Sequence, residues 1–238
     1  TGIFDAVLVS GIGLIILPVL SRYNNNQNIE RMTEFSCKIL KYLFISLSVI
    51  SCLFIVCSTE ITEIIYGRGQ FEQEAVMRVG QILSVYGIDI VLIPLQTIMI
   101  KVFHSMEDTK LPFKINCITV VLNIIFSMIL FQLMGLNGIA AGTAISFSVS
   151  CLLLIMNLKT RIGWNKEELG LKHVGVVFCA LILVIAVAYL LKQSIENIIY
   201  RIMMTGIISF TGYFFIIGLF LKREREEMLS YIQEIIRK

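Results

Sequence analysis

The chain has 238 residues, is 57% hydrophobic and only 16% charged, and carries a formal net charge of +3. Ordinary globular domains carry about 25% charged residues. Long, repeated apolar runs argue against a soluble reading and for a multi-span membrane protein; so small a charge names no partner, and no nucleic-acid partner is expected. The pattern predicts an all-α, polytopic helix bundle of seven spans. The first covers about Gly2–Leu20 and ends in Leu17-Pro18. It opens at the first residue, which reads as a chain cut inside or next to a helix. A polar loop, Ser21–Glu34, contains Asn24-Asn25-Asn26 and leads to a second span over about Leu40–Ser58. A mixed stretch follows, in which Ile61, Ile64 and Ile65 face one way between Glu60 and Glu63, as in a short interfacial helix. Gly67-Arg68-Gly69 breaks it.

The third span covers about Gln81–Phe103 and contains Asp89 and Pro94. The fourth and fifth form a hairpin on which the chain is organised. Asp108, Thr109 and Pro112 mark its start: a short polar side chain caps free N–H groups, and proline costs nothing in the first turn. The helix runs to about Met134 and turns at Gly135-Leu136-Asn137-Gly138; the return helix runs to about Asn157. Gly138 and Gly142, four apart, suit close approach of a neighbouring backbone and read as a packing face. Asn116, Asn123, Ser127, Thr143 and Ser146 are polar groups at membrane depth that need partners. The sixth span is about Val174–Leu191 and the seventh about Ile202–Leu221; an amphipathic tail with Met228, Ile232, Ile235 and Ile236 at helical spacing follows.

Taking loops alternately, sixteen of the 20 Lys and Arg fall on one side and four on the other. Basic residues favour the cytoplasmic side, so the C-terminus is expected inside and the N-terminus outside. The six cysteines contain no CxxC pair and mostly lie in apolar spans, as buried hydrophobes do. His104 and His173 lack neighbouring metal ligands. With no Walker loop, GxSxG or HExxH, catalytic chemistry has no visible home and no cofactor is expected.

Asp89 is the sharpest charge within a span. It faces a cavity or basic partner and serves proton or substrate coupling, or it lies near the outer interface, where the cost of burial falls. Pro94 kinks the third span and frees a backbone carbonyl, either as a hinge or as an ordinary membrane-helix proline. Arg68, flanked by glycines, suits a turn or a headgroup contact better than a substrate contact.

Several segments stand in an order that resembles the C-terminal half of the MurJ (MviN) lipid II flippase family, within the MOP exporter superfamily. They are Ile16-Leu17-Pro18-Val19-Leu20-Ser21-Arg22; Ile65-Tyr66-Gly67-Arg68-Gly69-Gln70-Phe71; Lys101-Val102-Phe103 with Asp108-Thr109-Lys110-Leu111-Pro112; Asn123-Ile124-Ile125; and Gly138-Ile139-Ala140-Ala141-Gly142-Thr143. The resemblance covers roughly residues 10–160. It implies a fourteen-helix inner-membrane protein of bacteria that moves lipid-linked peptidoglycan precursor between leaflets by alternating access. Residues 1–160 would belong to the C-terminal lobe, 161–222 to the final helix pair, and 223–238 to a cytoplasmic tail. Membrane lipid, the precursor and an N-terminal lobe of the same protein would be the partners. A Wzx-like polysaccharide flippase, a MATE-like exporter and a non-transporting scaffold are the alternatives.

The resemblance also implies site residues. Some family members bind sodium, and by motif and spacing Asn123, Ser127, Ile139 and Thr143 match that site; Ser127 stands where the family has a carboxylate. Interhelix hydrogen bonding by Asn123 and Thr143 is the other reading, and coupling to sodium or to protons stays open. Lys101 matches a basic position that meets the precursor's phosphates or snorkels to headgroups. His104-Ser105 replaces a usual Tyr-Ala, Glu107 replaces a common Gly, and an upstream Ala-Asp-Arg is absent.

Overall fold

A computed structural model of the chain describes residues 10–67, 73–163, 171–195 and 197–220. All its regular elements there are helices: α1 (Ser10–Asn25), α2 (Ile29–Val56), α3 (Ser58–Tyr66), α4 (Gln73–Tyr86), α5 (Asp89–Ser105), α6 (Lys110–Met134), α7 (Leu136–Ile162), α8 (Leu171–Ser194) and α9 (Ile198–Phe220). Five segments are long and apolar enough to cross a membrane: Ile29–Val56, Gln73–Ser105, Lys110–Met134, Leu136–Ile162 and Ile198–Gly218. Helix α8 has 24 residues, with an apolar stretch at Gly175–Leu191, and α1 has 16 described residues. Seven apolar segments were expected; among the described residues five reach full spanning length. Arg68 and the amphipathic tail lie outside the described residues.

The chain divides into two compact units, 1–169 and 170–238. In the first, the core collects at the basic ends of the helices. Leu20 of α1, Met32 and Leu40 of α2, Ile98, Met99, Val102 and Phe103 of α5, Ile115 of α6, and Leu154 and Leu158 of α7 are buried together. Polar bonds tie the same ends. Thr33 Oγ1 donates to the Ile162 carbonyl at 3.1 Å, and Arg161 bridges Asp108 at 3.1 Å.

The expected polar loop at Ser21–Glu34 is corrected to a reversal of three residues. Helix α1 runs on through Arg22 and Tyr23, and α2 begins at Ile29, because polar residues continue a helix once it has left the apolar layer. The Asn28 N–H reaches the Tyr23 carbonyl and the Gln27 N–H the Asn24 carbonyl, with Gln27 at φ +53°. This is a Schellman stop. Asn28 Oδ1 then accepts from the Arg31 N–H, so the residue that closes one helix caps the next. The α5–α6 connection repeats the device. Asp108 N–H bonds to the Phe103 carbonyl, Glu107 sits at φ +60°, and Asp108 Oδ1 accepts from the Leu111 N–H. The family's common Gly thus matches a left-handed position that Glu107 occupies at a steric cost.

The third span is also corrected. A turn at Gly87-Ile88, held by i→i−3 bonds, divides Gln73–Ser105 into α4 and α5. A Cβ on Gly87 would stand 2.5 Å from Ile55 Cγ1, so glycine lets α2 press against the break. Ser51 Oγ of α2 donates to the Gly87 carbonyl at 2.7 Å. The helix is unbroken through Pro94; the break is at Gly87-Ile88. Helix α3 stands where the short helix is expected. Ser58, Glu60 and Thr62 are buried, while Ile64, Ile65 and Tyr66 are exposed, an arrangement suited to a lipid exterior.

Helix α6 buries only Pro112, Ile115 and Thr119 and exposes residues such as Phe113, Ile124, Met128 and Leu133. In the second unit, α8 and α9 form a hairpin. Val177, Ala180, Val184 and Ala188 make a buried stripe on α8; Thr205, Ser209, Tyr213 and Ile217 make one on α9. Asn197 Oδ1 caps α9 by accepting from the Ile199 and Tyr200 N–H groups at 3.1 and 3.3 Å.

Candidate functional site: a polar node in the central hairpin

The reversal between α6 and α7 takes one residue. Gly135 lies at φ +60°, ψ −138°, a conformation closed to most L-residues, and α7 starts at Leu136 rather than Gly138. So short a turn forces the helices together. A Cβ on Gly138 would overlap the Leu130 carbonyl, and one on Gly142 would stand 2.6 Å from the Ser127 backbone nitrogen. The two glycines therefore admit the α6 backbone itself.

This close approach brings all four residues matched to the family's ion site together. Asn123 Nδ2 donates to Thr143 Oγ1 at 3.4 Å, and Ser127 Oγ donates to Asn123 Oδ1 at 3.1 Å. Thr143 Oγ1 donates to the Ile139 carbonyl at 3.0 Å, with Ser127 Oγ 3.5 Å from the same oxygen. Asn123, Ser127 and Thr143 are half-buried. The donor set is neutral, and Asn123 Oδ1, Thr143 Oγ1 and the Ile139 carbonyl each accept a neighbour's hydrogen. A sodium ion would have to displace those bonds without a carboxylate among these four residues to offset its desolvation. Among the described residues no three of His, Cys, Asp and Glu gather as a metal cluster.

A second polar junction lies deeper in the bundle. Gln96 Nε2 of α5 donates to Ser150 Oγ of α7 at 2.6 Å and lies 3.3 Å from Asn116 Oδ1 of α6. Cys151 Sγ stands 3.5 Å from the Leu92 carbonyl. Gln96 and Ser150 are buried. In the sequence the charges of this helix, Asp89 and Lys101, stand out and Gln96 does not. The signal is a carboxamide among apolar neighbours, which must find a partner at membrane depth.

The remaining candidates stand apart. Asp89 is buried at the first turn of α5, beside the break. Lys101 is half-buried near the other end of α5, about 18 Å away along the axis, so the two do not share a site. Nothing among these described residues pairs a nucleophile with a base; the contacts present are hydrogen bonds within and between helices.

A sequence model of the family described as Lipid II flippase MurJ matches residues 4–209. The chain belongs to the MurJ lipid II flippase family. A probable lipid II flippase MurJ of Rhizobium meliloti (strain 1021) is 29% identical over 157 residues, 66% of this chain and 29% of that protein. The lipid II flippase MurJ of Burkholderia cenocepacia is 24% identical over 159 residues, 66% of this chain and 30% of that protein. The solved structure of a lipid II flippase MurJ in an inward closed conformation superposes with a TM-score of 0.74 at 19% identity, covering 93% of this chain and 45% of that one. That superposition shows a shared all-helical membrane fold. The matched part of this chain spans less than half the length of each of these MurJ proteins.

Proposed function

We propose that the chain forms one lobe, with a following helix pair, of a transporter that carries lipid-linked peptidoglycan precursor across a bacterial inner membrane. The family match over residues 4–209 carries this reading. The fold supports it: apolar spanning helices, a core gathered at one end of the first unit, and no constellation suited to covalent chemistry among the described residues. The charge distribution supports a cytoplasmic placement for the end bearing Arg22, Arg31, Lys101 and Arg161. An N-terminal lobe would complete the transport path, and Lys101 would meet precursor phosphates at its cytoplasmic side.

The hairpin node and the Gln96 junction serve in this reading as fastenings that let α5, α6 and α7 move as one body. The Gly87-Ile88 break, rather than Pro94, would be the place where α4 and α5 flex. The intact protein, expressed in cells depleted of their own lipid II flippase, restores growth if the proposal holds. Correct membrane insertion without rescue would overturn it.

A further inference from the structure

We propose that the α1–α2 reversal is a binding site for the phosphate of an anionic phospholipid headgroup. A cavity of about 340 Å³ opens there, lined by Val19, Arg22, Tyr23, Asn26, Asn28 and Arg31. That volume lies in the range of small-molecule sites. Arg22 and Arg31 are exposed, and among the described residues neither guanidinium bridges a carboxylate. Two guanidinium forks at one cavity match the geometry of a phosphate better than two ammonium groups would.

The fold adds to the charge. The first turn of the 28-residue helix α2 borders the cavity, and its free N–H groups carry partial positive charge. Asn28 Oδ1 is committed to the Arg31 N–H, which leaves its carboxamide NH₂ as the group to offer a ligand. Two acids lie nearby. Glu30 is in the same first turn; Glu34 is bridged by Lys38 at 2.8 Å, and the Lys38 hydrogen bond and charge, with a smaller contribution from Arg31, stabilise its carboxylate.

The surroundings are those of a membrane border. Val19 is the apolar wall, and Tyr23, packed edge-on against Phe35 at 5.8 Å, supplies the amphipathic ring found at headgroup level. The basic ends of the unit gather on this side, and anionic lipid is concentrated in the cytoplasmic leaflet. A lipid whose chains lie against α1 would reach the cavity with its phosphate; a soluble phosphate ester would share the polar contacts alone.

The test uses the intact protein in nanodiscs of phosphatidylcholine containing a minor fraction of phosphatidylglycerol, with bound lipid counted by native mass spectrometry. Phosphatidylglycerol is expected to be retained over phosphatidylcholine. The Arg22→Gln/Arg31→Gln variant should lose at least about tenfold of that retention. Lys159→Gln, at the same end of the unit, should retain it. An Arg22→Lys/Arg31→Lys variant keeps the charge and the fold and should fall between the two. Unchanged retention in the Gln variant, with helix content intact, overturns the proposal. So does displacement of the lipid by millimolar sn-glycerol 3-phosphate, which would identify a site for soluble phosphate esters instead.

Discussion

Two left-handed residues, Gln27 and Glu107, show how single side chains set the cost of this fold. Each occupies the helix-stop position that glycine fills without strain, at φ +53° and φ +60°. The left-handed conformation costs an L-residue about 1–2 kcal/mol, and glycine returns part of that gain through its larger unfolded-state entropy. Glu107→Gly should therefore stabilise the protein by about 0.5–1 kcal/mol, read as a higher unfolding midpoint in detergent. A lower midpoint would show that the Glu107 side chain contributes more than its backbone costs. Gly142→Ala runs the other way. Its Cβ would meet the Ser127 backbone nitrogen at 2.6 Å, where no flexible atom can yield, and a loss of about 1–3 kcal/mol is expected. Gly206→Ala, with nothing within 4 Å, should be neutral or mildly stabilising and serves as the control.

The node residues make a sharper residue-scale prediction. If Asn123 and Thr143 pair across the hairpin, a double-mutant cycle to Ala should give a coupling of about 0.6 kcal/mol, ordinary for membrane hydrogen bonds. The unfolding midpoint should be equal in sodium and potassium chloride at matched ionic strength. A midpoint that climbs with sodium would mean that the ion binds the folded state and that the node opens to receive it.

At the scale of elements, helix ends matter more than helix interiors. Asp108 closes α5, caps α6 through Leu111 and meets Arg161 of α7. Asp108→Ala should cost about 1–2 kcal/mol, mostly from the cap. Arg161→Ala should cost well under 1 kcal/mol, because its side chain is 59% exposed and water screens the pair. Equal losses would mean that the ion pair, not the cap, holds the connection. The start of α6 was legible in the sequence because capping chemistry is local: Asp108, Thr109 and Pro112 announce it. The existence of the α6–α7 hairpin was legible from apolar length and from Gly135. Two features were not. The break at Gly87-Ile88 depends on α2 pressing its Ile55 and Ser51 against that point, a tertiary contact with no local signature. The tight α1–α2 reversal is hidden because polarity resembles looseness; Asn24 and Asn25 continue α1 to its end. The candidate site divided in the same way. Asn123, Ser127, Ile139 and Thr143 were found by motif and come together, whereas Gln96 was missed because an uncharged amide draws less notice than Asp89.

At the scale of the whole molecule, a family relationship is joined to a sidedness of charge. Basic residues gather at one end of the first unit, and the α6–α7 turn, which carries none, lies at the other. In a background freed of native cysteines, Leu136→Cys should react with an impermeant maleimide on intact cells, and Asn26→Cys only after the membrane is opened. The reverse pattern would invert the topology. The proposed activity is tested most directly by the amount of lipid II exposed on the outer leaflet of cells depleted of their own flippase and expressing the intact protein. Exposure at the level of cells with their own flippase is expected. Lipid II that stays in the inner leaflet, with the protein present and inserted, would contradict it.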